Sequence, residues 1–362
     1  MPYPAKPLLI GSVAAYSGKS AAILGLVPQI AKRGFQFAYG KPLSLRLGTA
    51  EAAGPDLDVQ FIVSALSLTE SQRVPSMLTL SESDILQQLG DASTVVSHSL
   101  PRLTPEDPAL DLLLLEGPGT LSEGQLFGFS LLNQAEQLDA AVLLMARCQS
   151  LGMVDELLAA QSHLGDRLYG VILNDIPPLF AESVARYIVP YLEKRNIPVF
   201  GQIPSHPLLR SISVREIVHQ LKAEVLCCSD RLNLMVEQLT IGAMNVNSAL
   251  RYFNRASNMA VVTGGDRTDI QLAALEASTN CLILTGHFLP NSIVINRAED
   301  LEVPILSVDL DTLTTVELVD KAFMQARFSE TIKVDCIQQL FKKHVDVDRL
   351  LDRLNLKPPV QV

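Results

Sequence analysis

Gly18, Lys19 and Ser20 close a loop, GSVAAYSGKS at 11–20, that leads from an apolar run at 7–10 into a helical stretch at 21–32. A glycine lets the backbone approach a phosphate, and a helix start offers unpaired N–H groups and a partial positive charge. A lysine and a serine at this point reach a terminal phosphate and its Mg²⁺. The loop departs from the usual G-x-x-x-x-G-K-[ST] pattern, because Val13 stands where that pattern asks for glycine.

Other residues with chemical potential fall at the ends of apolar runs. Lys41, in YGKP directly after a run at 35–39, is placed to hold an anionic substrate or phosphate. Glu116 ends DLLLLEGPG, where a buried strand delivers a carboxylate onto a glycine turn, a setting in which carboxylates support Mg²⁺ beside phosphates. Asn174 ends GVILND with an amide able to pair with the edge of a base. Further on, VVTGGDRTDI places Gly264 and Gly265 between a strand and a helix. Successive N–H groups there can form an anion-binding nest, which makes Gly264, Gly265, Asp266 and Arg267 a candidate effector site, or Arg267 and Asp266 can instead pair locally and cap the helix. His287 follows a glycine at another strand end, but no Ser or Cys nucleophile motif accompanies it, so a general-base role lacks a partner.

The elements that must position these residues alternate between short apolar runs and helical stretches, which predicts an α/β fold with a mainly parallel sheet and helices on both faces. In the first half strands are expected at 7–10, 35–39, 112–115, 140–145, 168–173 and 198–201. The runs LDLLLLEG and DAAVLLMA read as strands buried on both faces. Helices are expected at 153–163 and 180–194, and the irregular stretch 43–76 is expected to fold over the C-terminal edge of the sheet. After GQIPSHP at 201–207 the pattern restarts, with a capping box at Ser213 and Glu216. A smaller set of strands follows at 224–228, 239–243, 259–263, 281–284 and 304–308, with a helix at 267–276. The domain expectation is therefore 1–207, 208–325 and a helical C-terminal tail at 326–362.

Composition narrows the function classes. The net charge of −10 and the absence of Trp argue against a nucleic-acid surface. No apolar run approaches the roughly 18 residues that span a bilayer, and the N-terminus lacks the layout of a targeting peptide, so a soluble cytoplasmic protein is expected. Five cysteines without a C-x-x-C pair read as reduced thiols.

Taken in order, Gly18-Lys19-Ser20, Lys41-Pro42, Glu116-Gly117, Asn174 and Gly201-x-Ile203-Pro204 resemble the dethiobiotin synthetase family and the related cobyrinic acid diamide synthases. The resemblance implies ATP phosphates on Gly18, Lys19 and Ser20, Mg²⁺ near Ser20 and Glu116, adenine near Asn174, and a substrate carboxylate or carbamate near Lys41. It also implies a second acidic group near the metal, matched by Asp56 or Asp58. The apolar Val13-Ala14-Ala15 departs from the polar loop of those synthetases.

The segment 208–325 resembles a DRTGG domain, and the pair occurs in this order in the N-terminal half of long bacterial phosphate acetyltransferases. Those enzymes carry a further catalytic domain, and a sequence of 362 residues is expected not to include it. The expected function is thus an ATP- and Mg²⁺-binding regulatory or scaffold protein that forms a homodimer or higher homo-oligomer and meets a protein partner or a small anionic effector. The alternatives are an ATP-dependent ligase that activates a carboxylate or carbamate and, with least support, a phosphate acetyltransferase.

Overall fold

The computed structural model describes residues 5–46, 56–90, 110–286, 288–324 and 330–357. They form two compact units. One runs to Ser205 and resumes with the C-terminal helices, and the other occupies 206–324.

The first unit is built on a seven-stranded parallel sheet. Its strands are β1 (Lys6–Ser12), β2 (Phe37–Gly40), β3 (Arg73–Val74), β4 (Leu112–Glu116), β5 (Ala141–Arg147), β6 (Leu168–Ile176) and β7 (Val199–Pro204), in the order β3-β2-β4-β1-β5-β6-β7. The continuous apolar runs account for the central strands. Every residue of β4 is buried, and Leu8, Leu9 and Ile10 of β1 have no exposed surface. A parallel sheet needs helical crossovers on both faces, and those helices keep both faces dry. Helix α1 (Lys19–Lys32) makes the first of these crossovers and buries Ile23, Leu24, Leu26 and Ile30.

Two expectations change here. The described part of 43–76 is not wholly irregular: Leu43–Arg46 pairs in parallel with Leu78–Ser81, and α2 (Leu57–Ala65) follows a cap at Asp56. The helical stretch at 180–194 is present but contains a π-helical segment, Val184–Ile188, just ahead of Pro190. Proline has no N–H to continue the regular ladder, and the wider turn accommodates that loss.

The second unit carries a five-stranded sheet of β8 (Glu224–Cys227), β9 (Gln238–Ile241), β10 (Met259–Gly264), β11 (Thr279–Thr285) and β12 (Ile305–Val308). The order is β8-β12-β11-β10-β9, with β8 antiparallel and the others parallel. Alternate residues of β10 face opposite cores: Met259 and Val261 join one cluster, Ala260 and Val262 the other. Helix α3 (Thr268–Leu275) starts directly after β10.

The C-terminal helices α4 (Thr331–His344) and α5 (Val347–Arg353) belong to the first unit, so the expected tail is part of that unit's core. The Phe341 ring lies against α1 at Gly25, where a β-carbon would meet its Cγ at 2.2 Å. Val345 bridges Gly201 of the edge strand β7, and the Asp346 N–H donates to the Phe200 carbonyl at 2.7 Å. Gly201, grouped above with the nucleotide-site motifs, serves packing: a β-carbon there would meet Val345 Cγ2 at 2.8 Å. Among the described residues no helix is long and apolar enough to cross a membrane.

Candidate functional site

The central position of β1 brings its loop beside the ends of β4 and β5. Ile10 is in register with Glu116 of β4, and Ser12 with Met145 of β5. Open α/β sheets bind ligands at this carboxyl edge. Gly18 forms the N-cap of α1 in the left-handed region, at φ 100°, and α1 begins without a side-chain cap. Its first N–H groups are thus left to a ligand or solvent.

Side chains converge on this loop. Ser20 Oγ donates to Glu116 Oε1 at 2.8 Å, and Tyr39 Oη donates to Glu116 Oε2 at 3.1 Å. Glu116 is only 4% exposed, so these hydroxyls stabilise a carboxylate removed from water. Lys19 Nζ donates to Ser12 Oγ at 3.2 Å, and Ser12 Oγ donates to the Gly119 carbonyl at 2.9 Å. Burial lowers the Lys19 pKa against the opposing pull of Glu116 and Glu123. A partly desolvated ammonium that is easier to deprotonate than usual is stabilised by an arriving anion. Tyr39 is pushed well above the ordinary tyrosine range, first by burial and then by the Glu116 charge, which keeps it a donor.

Lys41 lies at the same edge, with Nζ 2.8 Å from Asp56 Oδ2 and 3.6 Å from Asp58 Oδ2. Burial acts to lower its pKa, but Glu116, Asp56 and Asp58 outweigh that effect and raise it. Asp56 is a committed structural group. Its Oδ1 accepts the Asp58 and Val59 N–H groups that start α2, and its Oδ2 accepts the Ser44 hydroxyl as well as the lysine. A metal role for Asp56 would require some of these bonds to break, whereas Asp58 is more open, at 45% side-chain exposure.

Burial acts to raise the Asp56 pKa, and its bonds to Lys41, Ser44 and Val59 reverse the sign and lower it. Its stabilising contribution is therefore fully present above the ordinary value of 3.8 and is lost as pH falls below it. Asp56→Ala removes both the cap and the ion pair, and is expected to cost about 1–2 kcal/mol in denaturant unfolding at pH 7. That difference should shrink under acid conditions.

Asn174, expected near adenine, donates through Nδ2 to the Ser17 carbonyl of the loop at 3.0 Å. Next to it Asp175 has φ 55° and is paired with Arg147 at 2.7 Å.

In the second unit the expected anion nest at Gly264 and Gly265 is not formed. Neither glycine has a positive φ. The Gly265 N–H donates to the Thr285 carbonyl, and the Arg267 N–H to the Gly264 carbonyl, so these groups already have acceptors. Arg267 pairs with Asp269, at 3.0 and 3.1 Å, instead of with Asp266, and also reaches the Met244 carbonyl. His287 lies outside the described residues.

Sequence reasoning missed Ser12, Tyr39 and Glu123, whose carboxylate accepts the Gly119 N–H. Tyr39 carried a usable signal, since it stands two residues before Lys41 at the end of a strand. Ser12 and Glu123 had none of comparable specificity.

The parallel sheet, with a glycine-capped Lys-Ser helix after its central strand and an acid on the neighbouring one, defines a P-loop α/β protein. The chain belongs to the AAA domain family, whose model matches residues 6–213, and a DRTGG domain model matches residues 216–322. It is homologous to the N-terminal half of phosphate acetyltransferases. It is 25% identical over 363 residues to the phosphate acetyltransferase of Synechocystis sp., covering 96% of this chain and 51% of that protein. The Nitratidesulfovibrio vulgaris enzyme is also 25% identical, with the same coverage of both chains. The chain thus spans about half the length of these curated relatives.

Among solved structures, the MinD cell division protein of Aquifex aeolicus matches at 15% identity and a TM-score of 0.33, over 57% of this chain and 84% of its own. The CBS and DRTGG domains of the regulatory region of Clostridium perfringens pyrophosphatase, complexed with the activator diadenosine tetraphosphate, match at 22% identity and a TM-score of 0.28. That match covers 40% of this chain and 70% of theirs. Strand order and register, not these scores, define the fold.

Proposed function

We propose that the first unit binds ATP with Mg²⁺ at the Gly18-Lys19-Ser20 loop, and that the chain acts as a regulatory or scaffolding nucleotide-binding protein of the phosphate acetyltransferase N-terminal type. The observation that supports this best is the Ser20–Glu116 bond at 2.8 Å, which joins the helix start to a buried carboxylate. The residues fit the ligand. Lys19 supplies a partly buried cation, and α1 supplies uncapped N–H groups. Among the described residues no group of three or more His, Cys, Asp or Glu could hold a metal by itself. Mg²⁺ is accordingly proposed to arrive with the phosphates and to meet Ser20 and Glu116, the pattern by which this ion binds through one or two protein groups plus substrate oxygens. Bound there, it would neutralise phosphate charge.

The ligase reading has less support. Lys41, its acceptor-holding residue, already faces Asp56 at 2.8 Å, so an acceptor carboxylate would have to compete with that ion pair. The regulatory reading rests on homology to the half of phosphate acetyltransferases that the family resemblance sets apart from their catalytic domain. Self-association and an anionic effector at the 264–267 segment belong to the same proposal. The effector would have to displace Asp269 from Arg267.

The metal role is tested with Glu116→Gln. Calorimetric titration with ATP is expected to show about a tenfold loss of affinity in Mg²⁺, the effect of weakening one charge-assisted contact, and a smaller loss in EDTA. Equal losses in both would remove Glu116 from the metal site.

A further inference from the structure

We propose that Asn174 is a positioning residue that braces the phosphate loop from behind, and that it is not a reader of the base; the functional part of this rests on the nucleotide-site reading above. Its Nδ2 donates to the Ser17 carbonyl at 3.0 Å, and the same nitrogen lies 2.4 Å from the place a β-carbon on Gly18 would occupy. Asn174 therefore lies against Gly18, which takes a left-handed conformation at the start of α1, two residues after Tyr16, which also has a positive φ.

The peptide that joins Ser17 to Gly18 is planar, and its C=O and N–H point in opposite directions. Holding the Ser17 carbonyl toward Asn174 consequently turns the Gly18 N–H away from Asn174. Oriented N–H groups are what a phosphate loop uses to bind.

The brace is itself fixed. The Asn174 carbonyl accepts the Cys148 N–H at 2.9 Å, and Asn174 pairs in register with Arg147 on β5. The following residue, Asp175, is held by Arg147 at 2.7 Å. On its other side the loop closes on itself, where Ser17 Oγ donates to the Ala14 carbonyl at 2.7 Å. One of the two Nδ2 donors of the amide that a base reader would offer to a ligand is already bonded to the loop. The neighbouring pair, Arg147 and Asp175, holds the strand end in which Asn174 sits.

A brace and a base reader predict different losses. The full chain and its Asn174→Ala variant are compared first without ligand, by amide hydrogen exchange over residues 13–20, and then by titration with Mg·ATP, Mg·GTP and tripolyphosphate. The brace predicts exchange in 13–20 faster by about tenfold or more, the effect of losing one hydrogen bond. It also predicts that affinity for all three ligands falls by a common factor, because the loop contacts only phosphate. Unchanged exchange would overturn the proposal, as would a loss confined to ATP with tripolyphosphate unaffected. If Asn174→Ala does not fold, Asn174→Asp removes the Nδ2 donor at nearly constant size and must accelerate exchange in the same segment. Should the wild type bind none of the three ligands, the nucleotide reading fails, while the exchange result still decides whether Asn174 holds the loop.

Discussion

Phe341→Ala is expected to destabilise the first unit by about 3–5 kcal/mol, the range for truncating a buried aromatic ring. The ring is 2% exposed and lies against Gly25, in the middle of the helix whose start carries Lys19 and Ser20. Its loss leaves a cavity that α1 cannot collapse to fill without moving, because Ile23, Leu24, Leu26 and Ile30 of that helix are themselves buried in close-packed surroundings. Ion pairs around the same helices contribute far less. Arg33 is bidentate to Asp348 at 2.6 and 2.9 Å, but the Asp348 side chain is 73% exposed, and such surface pairs are worth little. Urea unfolding monitored by circular dichroism measures the difference. A variant within 1 kcal/mol of wild type, on the order of a surface substitution, would show that α4 is not part of the core.

Lys19→Ala is expected to weaken Mg·ATP binding by roughly tenfold or more, the worth of one hydrogen bond to a charged group. Lys19 is well placed for such an effect, because its side chain is partly buried and desolvation lowers its pKa. A phosphate that reaches it therefore meets a cation poorly compensated by solvent. Lys41 lies at the same carboxyl edge but should matter less for the nucleotide, since Asp56 at 2.8 Å already balances its charge. Displacement of a fluorescent ATP analogue gives both affinities. If Lys41→Ala weakened binding more than Lys19→Ala, the phosphates would have to sit nearer the Lys41 side of the site.

The sheet of the first unit was readable because parallel strands buried on both faces are written as unbroken apolar runs. DLLLLEG shows both the strand and the acid at its end, and GSVAAYSGKS shows the loop and the helix start. The convergence of Ser20 and Glu116 followed from strand order, since β4 inserts beside β1 in register. Other features depend on contacts that leave no local trace. Asp56 looks like a free acid in sequence, yet it caps α2 and pairs with Lys41, because two segments of weak periodicity fold back to meet it. Gly25 and Phe341 show no pattern that links them, so the return of the C-terminal helices to α1 was invisible. At 264–267 the choice between nest and local pairing turned on backbone angles. The structure shows pairing, but with Asp269.

The function proposed for this chain stands on the loop at 11–20 being a working nucleotide site. One calorimetric titration of the full chain with ATP in excess Mg²⁺ tests it most directly. Saturable binding is expected at a single site per chain, competed by tripolyphosphate and weakened in the Lys19→Ala variant. The absence of saturable binding at ATP concentrations of about 1 mM, a Kd beyond which the interaction is worth under roughly 4 kcal/mol, would contradict it.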